Sequence, residues 1–194
     1  MVAREQDATA SLIRRRWPGF RLHSLQPRTA LNLLRPARLA AAGWLAALFV
    51  SGAQASAADK VRITSLSDVA FGTIANLGVD AIQSQSVCLY SSSPTSGYNV
   101  TGTGTGPGGN FELSSGSGSL AYEVQWSGSA GQSSGAQLTP NVPLTGQVST
   151  ATQQTCNSGP ATSASLIVIL RSSALSSATA GNYIGSLTLL VGPE

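Results

Sequence analysis

The chain has 194 residues, with 11 Lys and Arg against 8 Asp and Glu, a formal net charge of +3 and a pI near 9.2. That basic balance belongs to residues 1–57, where eight Arg stand against Glu5 and Asp7, a net of +6; from Ala58 onward Lys60, Arg62 and Arg171 meet six acids, a net of −3. The charge therefore gives no support to nucleic-acid binding by the folded part, and none is expected.

Leu39 to Val50 is an apolar run of 12 residues, preceded by Arg28, Arg35 and Arg38 and followed by the small residues Ser51 to Ala57. This order reads as a secretory signal peptide, with cleavage after Ala57 or, alternatively, after Ala55. The other reading is a membrane anchor, but the run is short of the ~20 residues a span needs. Arg14-Arg15-Arg16-Trp17 only faintly resembles a twin-arginine signal, because Pro18-Gly19 follows and the apolar run starts over twenty residues later. A start placed too far upstream is the simpler account of residues 1–27. The sole histidine, His23, lies there too, so the exported part contains none.

Residues 58–194 form one domain by size, rich in Ser, Thr and Gly and without a long helical period. Val61 to Leu66 opens as a strand, and Asp68 to Gly72 follows, its glycine letting the backbone turn or bulge beside a buried Phe71. Ser84 to Tyr90 is a strand carrying Val87, Cys88 and Leu89, and Ser91 to Gly97 is a loop. Tyr98-Asn99-Val100 resumes the strand; the N-x-T pattern at Asn99 is assigned no role. Thr101 to Asn110 contains G-x-G-x-x-G at Gly104, Gly106 and Gly109, yet Phe111-Glu112-Leu113 continues as a strand where a phosphate cradle needs a helix N-terminus. A hairpin loop is the better reading.

Ser119 to Trp126 alternates cleanly, with Leu120, Tyr122, Val124 and Trp126 on one face. It is a half-buried antiparallel strand, and Trp126 belongs to the core rather than to a ligand platform. A short strand is expected near Leu138. Leu166 to Leu170 is apolar on both faces, as a central strand would be, and Leu175 to Ala180 makes a short helical turn. The last strand, Tyr183 to Val191, places Tyr183, Leu187, Leu189 and Val191 on one face. These elements predict an all-β antiparallel sandwich.

Cys88 and Cys156 both lie in the exported part, where oxidation is permitted, and two cysteines allow one intramolecular pairing; two free buried thiols are the competing reading. Two cysteines without histidine do not complete a zinc shell, so no metal and no cofactor are expected. Without an exported histidine no ordinary nucleophile–base pair assembles, and Glu112 and Glu123 read as a solvated strand face rather than a glycosidase pair. No enzyme activity is expected.

Several short motifs then carry a family likeness. Asp68-Val-Ala-Phe71-Gly72 looks like an early "FG" strand, Val87-Cys88 like a strand-ending cysteine, and Leu120-Ala-Tyr122 like a mid-domain "L-x-Y". Ala180-Gly181-Asn182-Tyr183 with Leu187 to Val191 looks like a closing "AG-x-Y" strand. In order, over residues 61–191, they resemble the spore coat protein U-like domain found in subunits of archaic (Csu-type) chaperone–usher pili. The resemblance implies an incomplete immunoglobulin-like sandwich, completed by a donor strand on the edge formed by Tyr183, Leu187, Leu189 and Val191. It also implies a periplasmic chaperone, an outer-membrane usher and other pilus subunits as partners, and a place at the cell surface. Two features depart from the pattern. Cleavage after Ala57 leaves only Ala58 to Lys60 before Val61, so either Val61 to Leu66 is the donor or this subunit accepts a strand without giving one. The cysteine at the start of many family members is also absent.

Two function classes result. The first is a structural subunit or minor component of a fimbria, assembled by donor-strand exchange. The second is a secreted, self-contained sandwich that adheres to carbohydrate or matrix through Trp126 and loop tyrosines. An exported hydrolase comes third.

Overall fold

The computed structural model describes residues 58–116 and 118–194, together with the backbone of Val2–Arg4. The expectations for the signal peptide, its cleavage, the twin-arginine likeness and the upstream start lie outside the described residues.

The domain is all-β. Its strands in chain order are β1 (Val2–Arg4), β2 (Val61–Thr64), β3 (Ala81–Ser91) and β4 (Gly97–Thr103). Then come β5 (Glu112–Ser114), β6 (Ser119–Ala121), β7 (Glu123–Ser127), β8 (Ala136–Gln137) and β9 (Leu144–Val148). β10 (Ala164–Leu170) leads through a short helix, α1 (Ser172–Ser177), to β11 (Ser186–Pro193). One sheet has the order β2-β3-β10-β7-β8, a second β1-β11-β4-β9, and β5 and β6 form a hairpin between them in sequence. Every pairing is antiparallel except β1 with β11.

β10 takes the central place its composition predicts. All seven of its residues are buried, and it pairs with β3 along its length on one side and with β7 on the other. An apolar run on both faces tolerates only a position covered on both. Just before β10 begins, Ser163 substitutes for the ladder: its Oγ accepts from the Leu89 amide at 2.8 Å and donates to the Leu89 carbonyl at 2.7 Å. A buried strand end thus keeps its polar groups satisfied.

The core between the sheets joins Leu166, Val168 and Leu170 to Val100, Leu187, Leu189 and Val191. Trp126 is 1% exposed; its Nε1–H donates to the Tyr98 hydroxyl at 3.1 Å while the two rings meet edge to face. Buried aromatics of this kind place their one polar atom on a partner, so Trp126 offers no platform to a ligand. Cys88 and Cys156 form a disulfide that ties β3 to the connection after β9, with Cα atoms 5.9 Å apart.

Three elements differ from their expected form. The strand Ser119 to Trp126 breaks at Tyr122: β6 pairs with β5 and β7 with β10, and the Tyr122 amide goes to the Phe111 carbonyl. Its alternation survives because the side chains keep one face through the change of partner. Asp68 to Gly72 forms no strand, for want of a partner to pair with, and Gly72 turns at φ +64°. The closing strand starts at Ser186 rather than Tyr183 and runs on to Pro193, held by β4 as far as the Tyr98–Pro193 pair.

Candidate functional site

Residues 65–80 connect β2 to β3 as a strap. Among the described residues, none of them makes a backbone-to-backbone hydrogen bond. The strap is instead pinned near its ends by side chains. At one end Ser67 donates its amide and its hydroxyl to Gln85 Oε1, both at 2.9 Å, and its carbonyl accepts from Gln85 Nε2 at 3.0 Å. At the other, Asp80 accepts from Arg171 Nη1 at 2.8 Å and from the Ser172 amide at 2.7 Å, while Arg171 Nη2 reaches Glu123 at 2.6 Å. The Ser172 amide and the guanidinium hold the Asp80 carboxyl below its ordinary range. The same two carboxylates push the Arg171 pKa up, Glu123 foremost.

Against the strap lies a groove of about 1080 Å³ with a mixed lining, in which Asp68, Thr73, Thr179 and Asn182 stand among apolar side chains. Its floor is core: Leu113, Leu120, Tyr122, Val168, Leu170 and Leu175. One wall is the strap, through Val69, Phe71, Ile74 and Leu77; the other is the segment from Ala178 to Ile184 that leads into β11. The six floor side chains are each 6% exposed or less, so the groove lies against a covered core.

The second wall of the groove ends at Ile184, two residues before β11 begins. The inner edge of β11 is paired with β4 from Thr188 to Pro193, and Ile184 exchanges two backbone hydrogen bonds with Ser114 just before it. On the outer edge Val2–Arg4 runs parallel to Ser186–Thr188. From Leu189 to Pro193 that edge has no strand partner among the described residues.

Of the residues expected at the edge, Leu187, Leu189 and Val191 lie in β11, each 1% exposed. Tyr183 stands apart, before the strand, in the groove wall; its hydroxyl donates to the Thr179 carbonyl at 2.8 Å. Val61 to Thr64 is held by β3, with Ile63 buried, so in this form the segment belongs to its own sheet. Glu112 and Glu123 lie on different strands, and Glu123 is engaged by Arg171. Sequence patterning assigned no role to Asp80 or Arg171. Their only signal was one isolated cation directly after a wholly apolar strand. Among the described residues, no group of three or more His, Cys, Asp or Glu is placed to hold a metal ion.

No family model and no curated protein matches the chain. One solved structure similar to it is described as a chaperone–tip adhesin complex vital for synergistic activation of CFA/I fimbriae biogenesis. It aligns with a TM-score of 0.46 at 18% identity, over 69% of this chain and 41% of that one. The chain thus spans under half the length of its counterpart there.

Proposed function

We propose that this protein is a strand acceptor, a subunit or minor component of a surface fimbria whose fold is completed by a β-strand from another chain. The observation that carries the reading is the outer edge of β11, which from Leu189 to Pro193 has no strand partner among the described residues. An extended segment arriving there gains main-chain bonds from the β11 edge, and pockets for its alternate side chains set its register. Two further points support the reading. The edge already pairs with a short extended segment, Val2–Arg4, and the ordered motifs over residues 61–191 resemble the spore coat protein U-like domain. On this reading residues 1–57 carry the export signal and residues 58–194 the domain. A periplasmic chaperone covers the edge first, and a neighbouring subunit follows at the usher.

The test is capture of a strand in trans. The exported protein, mixed with a donor peptide or with the chaperone of its own gene cluster, gains thermal stability and loses self-association, because a ligand of the folded state stabilises it by mass action. A monomer that is stable and indifferent to every such strand would falsify the proposal. The competing adhesive module loses its main platform to the burial of Trp126.

A further inference from the structure

β11 has two neighbours, and they divide the strand between them. The β4 ladder covers Thr188 to Pro193, whereas Val2–Arg4 pairs with Ser186, Leu187 and Thr188. Among the described residues, Ser186 and Leu187 therefore have no ladder partner other than β1. The chain enters β11 from the Ser114–Ile184 bridge, and β1 joins it before β4 does. Three residues of parallel ladder make a short contact of a kind slightly less stable per residue than an antiparallel one. A segment of the same chain meets the edge without the dilution that a partner in trans incurs. β11 offers eight residues, Ser186–Pro193, so a longer strand from another chain covers more of the edge and displaces β1.

We infer that Val2–Arg4 is an in-chain placeholder: in the uncleaved chain it covers the start of the β11 outer edge, and removal of residues 1–57 vacates that edge for a strand from another chain. An unpaired edge templates pairing between copies. A chain that folds before processing carries its own cover, at the two residues of β11 that β4 does not hold. The inference rests on the strand-acceptor reading and adds to it an occupant in cis, in parallel register, that processing removes.

The test uses the full, uncleaved chain with cysteine pairs added beside the native disulfide. Val2→Cys with Ser186→Cys, and Arg4→Cys with Thr188→Cys, join residues paired in register and should each yield a crosslinked peptide pair on mild oxidation. The exchanged combinations, Val2→Cys with Thr188→Cys and Arg4→Cys with Ser186→Cys, report an antiparallel arrangement and should stay uncrosslinked. Competition is the second measurement. Lysine-tailed peptides with eight alternating valines and threonines, one in each phase, should suppress the in-register crosslinks. Changing Val2, Ala3 and Arg4 together to Pro removes the amide donors of β1. Peptide binding should then tighten about tenfold, the factor for an edge otherwise occupied about nine-tenths of the time. Absence of the in-register crosslinks, crosslinking of the exchanged pairs, or equal peptide affinity for the natural and triple-Pro chains overturns the inference while the strand-acceptor reading stands. Failure of both peptides to bind either chain defeats the strand-acceptor reading, and the inference with it.

Discussion

β10 and β11 are both apolar strands near the end of the domain, and they differ in what lies beside them. β10 is paired on both edges and buried on both faces. β11 buries the face of Leu187, Leu189 and Val191, and among the described residues its outer edge is paired only at Ser186–Thr188. The exposed Leu190 lies on its other face. The difference teaches where stability and function separate in this fold. β10 is paired on both edges within its sheet, whereas β11 leaves part of one edge without a strand partner among the described residues. An unpaired strand edge is a liability that folded proteins normally cover.

The largest expected effect comes from the staple on the closed side. Changing Cys88 and Cys156 together to Ser opens a link with a sequence separation of 68. Denaturant unfolding should show a loss of about 4 kcal/mol on the chain-entropy estimate. A donor strand should still raise the midpoint of that variant, because the staple and the β11 edge are separate. Loss of strand capture along with the staple would break the comparison.

A matched pair of truncations comes next. Ile167→Ala in β10 removes a fully buried side chain and should cost about 3 kcal/mol. Leu190→Ala in β11 trims a residue that is 48% exposed, and should shift stability by about 0.5 kcal/mol or less. Equal costs would mean that something covers the outer face of β11. Hydrogen exchange sharpens the same contrast amide by amide. β10 amides should be uniformly slow, while those from Leu189 to Gly192 should alternate slow and fast, according to whether they face β4 or the open edge. Uniform protection of β11 would contradict an open edge.

How much of this was legible in the residues follows from the kind of signal. β10, the buried Trp126 and the single cysteine pairing are each carried by a local pattern: an apolar run, an alternating face, or the only two thiols. The strap was not legible. Asp68-Val69-Ala70-Phe71-Gly72 has strand composition, but a strand also needs hydrogen-bonding neighbours, and its five residues have none. The groove is harder still, because it is a gap between the strap and residues 178–184, which lie far apart in sequence.

The smallest expected effect concerns the strap. Arg171→Gln removes the link from Asp80 to Glu123, and exposed ion pairs contribute little to global stability. The melting midpoint should therefore barely move, while exchange and proteolysis within residues 65–80 should speed up. The contribution of Asp80 has a definite sign. Its folded pKa is depressed, so its stabilisation is fully present above the ordinary value of 3.8 and is lost as pH falls below that value through the folded one. Strap protection should fade in that acid window in the natural protein and show less of this dependence in Arg171→Gln. A global destabilisation instead would show that the clamp supports the core.

The position of the disulfide has a mechanical meaning as well. The covalent loop from Cys88 to Cys156 encloses β4 to β9, while β2, the strap, β10 and β11 lie outside it. Pulled apart from Ala58 and Glu194, the domain cannot pay out the 68-residue span inside the loop, which caps its extension at roughly half its contour length at ~3.5 Å per residue. The terminal strands β2 and β11 belong to different sheets and approach within 8 Å between Cα atoms without pairing. Tension would therefore reach this junction first, before the sheets themselves are loaded.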